Sequence, residues 1–395
     1  MNADSSTETL ETALFGAVPA PGDPSSTSAL VMSMLNSSVG ISDLVFSPGR
    51  PPQVEDRGEL TPVVASGISV LRADDTCRVA RDVVAGNVLA MRALKNDGAC
   101  DVSYSVRDCA RFRVNVFRQR GTYAVVMRVI ASKVPTLDAL RLPPMLAEVA
   151  ALRNGLVLVT GPTGSGKSST LAAIVDLINE TRAEHIITIE DPIEFLHAHK
   201  KATVHQRELH SDTPSFALAL RAALRQAPKV ILVGEMRDRE TIEVALTAAE
   251  TGHLVLSTLH TIDASKTVDR IIGAFQPGEQ GGIRTRLAGC FRFIISQRLV
   301  RGAGDDRIAI VEVLKSTLRT REYLELGDGG GKTLLDAMRD GELDGMQHFD
   351  GEIEKLVRSG AISFANGLLY ATNANNLRVQ LADVQPLEEE SLVIR

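Results

Sequence analysis

The segment GLVLVTGPTGSGKSSTL, residues 155–171, specifies the architecture of the larger part of the chain. An apolar run typical of a buried parallel strand leads into a turn of the form G-x-x-x-x-G-K-[ST], and a helical pattern follows. Backbone N–H groups in such a loop wrap around phosphate oxygens at the start of the helix. We therefore predict a nucleoside triphosphate site, and its binding residues are Gly161, Pro162, Thr163, Gly164, Ser165, Gly166, Lys167, Ser168 and Ser169.

The polar residues of this loop suit the chemistry of a triphosphate. The Lys167 ammonium can reach the β and γ oxygens, and the Ser168 hydroxyl can join the shell of a Mg²⁺ ion. The sequence therefore predicts ATP and Mg²⁺ as cofactors. An Asn/Thr-Lys-x-Asp segment that would read guanine is missing from the sequence, which argues against a GTPase switch.

Apolar runs alternate with helical patterns beyond this loop. HIITIE, KVILVG and HLVLST are short continuous runs of the kind that form strands buried on both faces. Strands that alternate with helices favour a parallel sheet in an α/β fold. We predict that the loop and these strands share one such sheet.

The length of the chain favours more than one domain. Its 395 residues, 44% of them hydrophobic, exceed the roughly 250 residues at which a single core usually stops growing. We predict an N-terminal domain at 29–134, a proline-bearing linker at 135–146 and an ATPase domain with a C-terminal helical part at 147–380. Residues 1–28 are rich in Ser, Thr, Pro and acids without Lys or Arg, so they are predicted to be disordered, and 381–395 to be loosely ordered.

Composition argues against several classes of partner. A net charge of −6 provides no overall positive field for a nucleic acid. The four cysteines lie in no zinc-like spacing, and we expect free thiols in a reducing compartment. No basic leader precedes an apolar run, and no stretch approaches the ~18 apolar residues of a membrane span. We expect a cytoplasmic protein that meets a membrane only through partners.

Carboxylates follow two of the predicted strands. Glu190 and Glu194 lie within the segment TIEDPIE at 188–194, and Glu235 follows the strand VILVG at 230–234. The carboxyl ends of parallel strands are where an α/β sheet presents its ligand. One carboxylate can orient or deprotonate the attacking water and another can hold the metal shell, so we predict catalytic roles for all three and a metal role for Glu235 and Ser168.

Two histidines bracket the strand HLVLSTLH. An imidazole at the carboxyl end of a strand, such as His260, can sense a γ-phosphate by hydrogen bonding, and His253 stands at the other end. We predict a catalytic role for both. The remaining histidines of the central region are predicted to be solvated loop residues, since their spacing fits no zinc pattern: His197, His199, His205 and His210.

Arginines are prominent in the N-terminal domain. Period-two alternation in ARFRVNVF, residues 110–117, places Arg111 and Arg113 on one face of a strand, and Arg128 lies on the next strand pattern. A solvated strand face is the ordinary explanation for such residues. The sharper hypothesis is that Arg113 and Arg128 reach the triphosphate as arginine fingers, worth about 10³–10⁵ in rate.

Five segments of this chain resemble a known superfamily in the same order: GPTGSGKSST, IITIEDPIEF, LRQAPKVILVGEMRDRETIEVALTAAETGH, STLHTIDASKTVDRII and ISQRLV. They resemble the secretion ATPases of type II and type IV machines, and most closely the twitching-motility ATPases that retract type IV pili. The resemblance spans residues 29–381 and is weakest at both ends. It implies an α/β fold class, with a PAS-like α+β N-terminal domain, a RecA-like P-loop ATPase core and C-terminal helices.

The resemblance also implies roles for individual residues. Residues 161–168 match the Walker A loop, Glu194 matches the catalytic glutamate of the aspartate box at 190–194, and Glu235 matches an atypical Walker B acid. His253 and His260 match the histidine box. Arg113 and Arg128 fall where arginines of the family's N-terminal domain approach the nucleotide.

The expected function is that of an ATP-hydrolysing homohexamer that drives pilus retraction through an inner-membrane platform protein. Its expected location is the cytoplasm, peripheral at the inner membrane through the pilus machine, without a nucleic-acid partner. The family's extension motors carry a tetracysteine zinc motif that this chain lacks, which favours retraction. Ala227-Pro228-Lys229 departs from a common Asp-Pro-Asp and partly resembles an accessory retraction paralogue.

Four alternatives remain at the level of the sequence. The first two are an accessory retraction paralogue and the ATPase of a type II or type IV secretion system, which share all the core motifs. The third is a nucleotide-gated assembly scaffold that does not hydrolyse ATP. The last is a nucleic-acid translocase, which the acidic charge disfavours.

Overall fold

A computed structural model describes residue 14 and residues 26–65, 67–106, 109–130, 133–304, 306–327 and 333–384. The tails predicted at 1–28 and 381–395 lie largely outside these described residues. The chain forms two compact units. The N-terminal unit extends to Lys133 and also includes Pro192–Leu196 and Glu208–Pro214, and the remaining residues form the P-loop unit.

The described part of the N-terminal unit has an α+β architecture. Its six-stranded antiparallel sheet has the order β3-β2-β1-β6-β5-β4. The strands are β1 (Ile41–Phe46), β2 (Gln53–Asp56), β3 (Glu59–Pro62), β4 (Ala99–Val106), β5 (Ala110–Gln119) and β6 (Thr122–Ile130). The helices are α1 (Thr27–Leu35), α2 (Ala73–Val84) and α3 (Val88–Asn96).

The core of this unit lies on one face of its sheet. On β5 the side chains of Phe112, Val114 and Val116 are fully buried, whereas those of the alternating residues are partly or fully exposed, as the period-two pattern predicts. The buried face contacts the apolar side of α2, whose Val79 and Val84 are fully buried. The opposite face of β5 is therefore free to carry the arginines.

The P-loop unit contains the predicted parallel sheet. Its seven strands have the order β13-β12-β7-β11-β10-β8-β9, with β12, β7, β11, β10 and β8 parallel and β13 antiparallel at one edge. The strands are β7 (Gly155–Thr160), β8 (His185–Glu190), β9 (Thr203–Glu208), β10 (Val230–Val233), β11 (Leu254–Leu259), β12 (Phe291–Arg301) and β13 (Arg307–Lys315).

Helices surround this sheet and continue beyond it. Those up to the last strand are α4 (Glu148–Ala151), α5 (Lys167–Thr181), α6 (Phe216–Ala223), α7 (Arg239–Glu250), α8 (Ala264–Ile272) and α9 (Pro277–Cys290). The C-terminal part is helical, as predicted, with α10 (Leu318–Leu326), α11 (Leu334–Asp340), α12 (Phe349–Arg358), α13 (Phe364–Tyr370) and α14 (Ala374–Gln380). β7, β10 and β11 are buried along their whole length because helices cover both faces of the sheet.

The division into units differs in one respect from the division drawn from the sequence. It falls after Lys133, next to the expected linker, but two short segments from within the predicted ATPase domain pack with the N-terminal unit. These segments are Pro192–Leu196, directly after β8, and Glu208–Pro214, at the end of β9. No hydrophobic pattern in the sequence marks these two segments as part of the N-terminal unit.

Candidate functional site

The phosphate loop connects β7 to α5 through glycines in conformations that other residues rarely adopt. Gly161 has a φ of 145°, and a Cβ added there would lie 2.4 Å from the carbonyl oxygen of Gln297. Gly166 has a φ of 90° and is the N-cap of α5. The loop backbone can thus turn tightly at the helix N-terminus, where its N–H groups are available to an anion.

Lys167 is the first residue of α5 and closes over the loop. Its Nζ donates hydrogen bonds to the carbonyl oxygens of Gly161, at 2.8 Å, and Pro162, at 2.9 Å, and the residue is 8% exposed. The ammonium is therefore held at the mouth of the glycine-rich turn, where it can exchange carbonyl oxygens for phosphate oxygens.

The residues present fit a nucleoside triphosphate with its metal ion. Ser165 is 2% exposed, and its Oγ carries no hydrogen bond within the described part of the chain. Ser168 is half-buried at the start of α5. A cavity of about 420 Å³ adjoins residues 162–165 and is also lined by Arg298 and Tyr370. This volume is in the range of small-molecule binding sites.

A second cavity, of about 340 Å³, contains the acid that follows β10. The Glu235 side chain is 11% exposed, and its two oxygens have different partners. The Arg237 Nε lies 2.6 Å from Oε1, and the His260 Nε2 lies 3.5 Å from Oε2. Arg270 of α8 lines the same cavity. The structure therefore brings two predicted residues, Glu235 and His260, together, and it adds two arginines that sequence reasoning missed.

The surroundings of His260 lower the pKa of its imidazole. Partial burial lowers its pKa first, and the positive charge of Lys167 lowers it further, while the Glu235 carboxylate opposes both effects. A neutral imidazole can donate one hydrogen bond and accept another. His260 is thus suited to hydrogen bonding rather than to carrying a charge.

The acids of the TIEDPIE segment have two environments. Glu190, the last residue of β8, accepts hydrogen bonds at Oε1 from Thr188 Oγ1, at 2.6 Å, and from Gln206 Nε2, at 3.2 Å. Glu194 is exposed and belongs to the N-terminal unit. The side chain of Glu190 is therefore fixed by two hydrogen bonds. The backbone of Glu194 packs with the N-terminal unit.

His253 lies far from the phosphate loop. It precedes β11, and its carbonyl oxygen accepts a hydrogen bond from the N–H of Gly155, at the start of β7. β7 and β11 are parallel, and the loop follows the far end of β7, so the strand length separates His253 from Lys167. The His253 Nδ1 lies 3.0 Å from the Ala248 carbonyl at the end of α7. The structure does not bring His253 to the other predicted site residues, because the two ends of a strand lie at opposite edges of the sheet.

The two predicted arginine fingers are neighbours on the exposed face of the N-terminal sheet. Arg113 of β5 and Arg128 of β6 are register partners, and Asp43 of β1 is the register partner of Arg128. The Arg128 Nε lies 2.9 Å from Asp43 Oδ1, while 71% of the arginine side chain remains exposed. Both arginines are accessible to an anion.

Other polar residues differ from their predicted surroundings. The side chain of His197 is only 4% exposed, with Nδ1 3.9 Å from Asp176, so its prediction as a solvated loop residue is wrong. Burial lowers its pKa. His199, His205 and His210 are exposed as predicted, but His205 belongs to strand β9 and not to a loop. The packing of His197 against α5 could not be foreseen from spacing alone.

Three structural findings bear on cofactors and membranes. In the described ranges no three His, Cys, Asp or Glu side chains are grouped as a metal site. None of the helices described is both long and apolar enough to traverse a bilayer. Cys77, Cys100, Cys109 and Cys290 carry free thiols, as predicted.

Comparisons with known proteins agree with this geometry. The family described as "Type II/IV secretion system protein" matches residues 77–323. The chain is 42% identical over 327 residues to the type IV pilus retraction ATPase PilT of Pseudomonas aeruginosa, covering 83% of this chain and 93% of that protein. It is 48% identical over 278 residues to a twitching motility protein of Neisseria gonorrhoeae, covering 70% and 74%.

Solved structures give the same result. A crystal structure of the pilus retraction motor PilT with bound ADP superimposes with a TM-score of 0.79 at 38% identity, covering 90% of this chain and 99% of that one. The ATPase DotB of Legionella pneumophila superimposes with a TM-score of 0.75 at 29% identity, covering 92% and 99%. The fold is thus a PAS-like α+β unit with a RecA-like P-loop ATPase core, and the chain belongs to the type II/IV secretion system protein family and, within it, to the PilT-like twitching-motility ATPases.

Proposed function

We propose that this protein is an ATP-hydrolysing motor that retracts type IV pili. One observation carries the proposal. Lys167 follows β7, Glu235 follows β10 and His260 follows β11, so all three lie beyond the carboxyl ends of strands of the same sheet. Glu235 and His260 also contact each other. The names of the retraction ATPase and the twitching motility protein described above support the retraction step.

The proposed work of the P-loop unit begins with binding. The loop N–H groups and the Lys167 ammonium bind the phosphates of ATP, and Ser168 and Glu235 hold Mg²⁺. When bound, Mg²⁺ would neutralise part of the negative charge on the phosphate oxygens. Glu190, fixed by Thr188 and Gln206, places a negative charge at the end of β8.

Hydrolysis then needs a base and groups that respond to the product. Glu194 accepts a proton from the attacking water, whose oxygen forms a bond to the γ-phosphorus as the bond to the β–γ bridging oxygen breaks. His260, neutral because of burial and Lys167, hydrogen-bonds the γ-phosphoryl oxygens. Arg113 and Arg128 stabilise the charge of the transition state from the N-terminal unit.

We further propose the assembly in which this occurs. Six copies form a closed ring, with an inner-membrane platform protein of the pilus as the mechanical partner, in the cytoplasm at the membrane surface. ATP-driven rearrangement of the N-terminal unit against the P-loop unit is the proposed source of movement. A nucleic acid is not among the proposed partners.

Two alternatives belong to the same enzyme class: an accessory retraction paralogue and a secretion-system ATPase. A protein named type IV pilus ATPase PilU, from Pseudomonas aeruginosa, is 38% identical over 345 residues, which favours keeping the paralogue as a second candidate. A scaffold that binds nucleotide without turnover is the alternative outside enzymes.

One genetic experiment separates these candidates. Lys167→Ala replaces the wild-type gene in the native organism, and surface pili and surface motility are counted. A matched strain carries Lys266→Ala, which removes an exposed lysine of α8. Excess pili with lost motility in the first strain only is the expected result, whereas few or no pili would indicate an extension motor.

The other outcomes have equally definite meanings. An unchanged pilus count in the Lys167→Ala strain would contradict the proposal of a principal retraction motor and would favour the paralogue or a secretion machine. Purified wild-type protein that releases no phosphate from Mg-ATP would instead favour the scaffold. Stimulation of that release by single-stranded DNA would favour a translocase.

A further inference from the structure

Glu208 is a carboxylate whose burial requires an explanation. It ends β9, and its side chain is only 4% exposed within the N-terminal unit. A buried ionised carboxylate is destabilising unless it is paired and hydrogen-bonded. The groups that pair with the Glu208 carboxylate therefore identify the segments that it connects.

Arg111 provides the compensating charge. Its Nη2 lies 2.9 Å from Glu208 Oε2, its Nη1 donates to Ser105 Oγ at 3.3 Å, and 22% of its side chain is exposed. Arg111 belongs to β5, two residues before Arg113. The ion pair consequently joins Glu208 to the beginning of β5, the strand next to the edge strand β4, within one compact unit.

The same Glu208 oxygen holds the backbone near Glu194. The N–H of Ile193 donates to Glu208 Oε2 at 3.2 Å, and Ile193 as a whole is 3% exposed. Glu194 is the next residue and is itself exposed. A contact that fixes the peptide before Glu194 also fixes the direction in which the Glu194 side chain leaves the backbone.

The loop after Glu208 makes this contact rigid. The Glu208 N–H donates to Asp212 Oδ2 at 2.8 Å, and the Asp212 N–H donates to the Glu208 carbonyl oxygen at 2.9 Å. The His210 N–H donates to the Thr213 carbonyl oxygen at 2.8 Å. Residues 208–214 thus form a turn closed on itself, which presents the Glu208 carboxylate in one position.

We propose that Arg111 and Glu208 are positioning residues for Glu194. They anchor the segment Pro192–Leu196, which contains the proposed general base, to β5 within the N-terminal unit. This inference rests on the proposed role of Glu194 in ATP hydrolysis.

The test uses the full chain with Arg111→Gln, Glu208→Gln and the double variant. Arg118→Gln is the matched control, since Arg118 lies on the same strand and is exposed. Four quantities are measured: kcat and KM for Mg-ATP, the Kd for a fluorescent ADP analogue, and the rate of hydrogen exchange of peptides that contain the Ile193 amide. Thermal unfolding shows that each variant is folded.

We expect kcat to fall about 10- to 100-fold in either single variant, since a misplaced catalytic group costs about that much. KM and the Kd for the ADP analogue should stay within about threefold, because the phosphate loop is untouched. The double variant should be no slower than the worse single variant, since both changes remove one contact. Exchange of the Ile193 amide should be at least about tenfold faster. Arg111→Lys, which keeps the charge, should recover part of kcat.

The inference is overturned if exchange at Ile193 in the Arg111→Gln and Glu208→Gln proteins equals that in the Arg118→Gln control. It is also overturned if the kcat losses multiply in the double variant, or if they arise only from a lower folded fraction. Failure of the proposed function is a separate result: the wild-type protein would show no phosphate release that depends on Lys167. The exchange measurement decides the positioning role in that case too, because it needs no turnover.

Discussion

The Nε2 of His260 lies 3.5 Å from Oε2 of Glu235, while Oε1 of the same carboxylate lies 2.6 Å from the Arg237 Nε. One buried acid therefore orients an imidazole from the end of β11 and a guanidinium from the segment after β10. The pKa of His260 is nevertheless lowered, because burial and the positive charge of Lys167 outweigh the opposing effect of the Glu235 carboxylate.

This arrangement predicts the pH dependence of ATP hydrolysis. The lowered pKa keeps His260 neutral at neutral pH. We therefore expect kcat to stay constant as pH falls through the range in which an ordinary histidine is protonated. The decrease in kcat caused by protonation of His260 should appear only at lower pH. His260→Gln should lower kcat about tenfold, the effect of about 1.4 kcal/mol, and should remove that acidic loss. Steady-state phosphate release between pH 5.5 and 8.5 measures both. An acidic limb that is unchanged in His260→Gln would contradict the assignment.

Gly161→Ala should weaken nucleotide binding. The new Cβ would lie 2.4 Å from the Gln297 carbonyl oxygen, and the φ of 145° is strained for alanine, so the loop backbone must move. We expect the Kd for a fluorescent ADP analogue to rise at least about 30-fold, since about 2 kcal/mol of strain is enough for that change. Gly278→Ala is the control, because nothing lies within 4 Å of its added Cβ. Tight binding by Gly161→Ala would show that the loop tolerates a shift.

Glu312 on β13 should make stability depend on pH. Burial raises the pKa of Glu312 to about 7, although the Ala264 N–H donates to its Oε1 at 2.8 Å. The folded protein therefore holds this proton between about pH 4.5 and 7 while the unfolded chain has lost it. The resulting stability is fully present below that window and is lost as pH rises through it, by about 3 kcal/mol.

Glu312→Gln removes this dependence and keeps an acceptor for the Ala264 N–H. The melting temperatures of the wild-type and variant proteins are compared at pH 5.5 and pH 8.5. The wild-type protein should lose stability relative to the variant at the higher pH. A constant difference between the two proteins at both values would mean that Glu312 does not titrate in this range.

Substitutions of Arg128 and Arg113 should distinguish an effect on stability from an effect on catalysis. Arg128→Gln leaves the Asp43 carboxylate, 7% exposed, without its partner at 2.9 Å, so it should lower the melting temperature by a few degrees. Asp43→Asn in the same protein should restore much of the loss. Arg113→Gln should leave the melting temperature unchanged, since Arg113 is exposed. If the arginines act on the transition state, kcat falls in both single variants; an unchanged kcat in both would remove them from the proposed mechanism.

Much of the site could be predicted because its signals are local in the chain. The run GPTGSGKS and the burial of β7 fix the position of Lys167 with respect to its own helix, and the alternation in ARFRVNVF fixes the exposed face of β5. The acid after a buried strand and the histidine after the next could likewise be assigned to one edge of the sheet. His253 precedes the same strand, and its position at the amino end of β11 separates it from that edge.

Other parts depend on contacts between distant positions in the chain. Arg237 and Arg270 join the Glu235 cavity, and the pair of Arg111 and Glu208, 97 residues apart, attaches the Glu194 segment to the N-terminal unit. No periodicity encodes such pairs, because each depends on where two separate backbones lie and on which single side chain can offset the desolvation of a charge.

The sequence by itself determined the kind of fold, the phosphate loop, the buried strands and the residue types available for ATP chemistry, since hydrophobic periodicity and glycine-rich turns act through neighbouring residues. Only the tertiary structure decided which predicted residues lie together, which carboxylate is buried, and to which unit Glu194 belongs. The physical reason is that burial and charge pairing are properties of three-dimensional neighbours, and a carboxylate has the same appearance in the sequence whether it is solvated or held by an arginine.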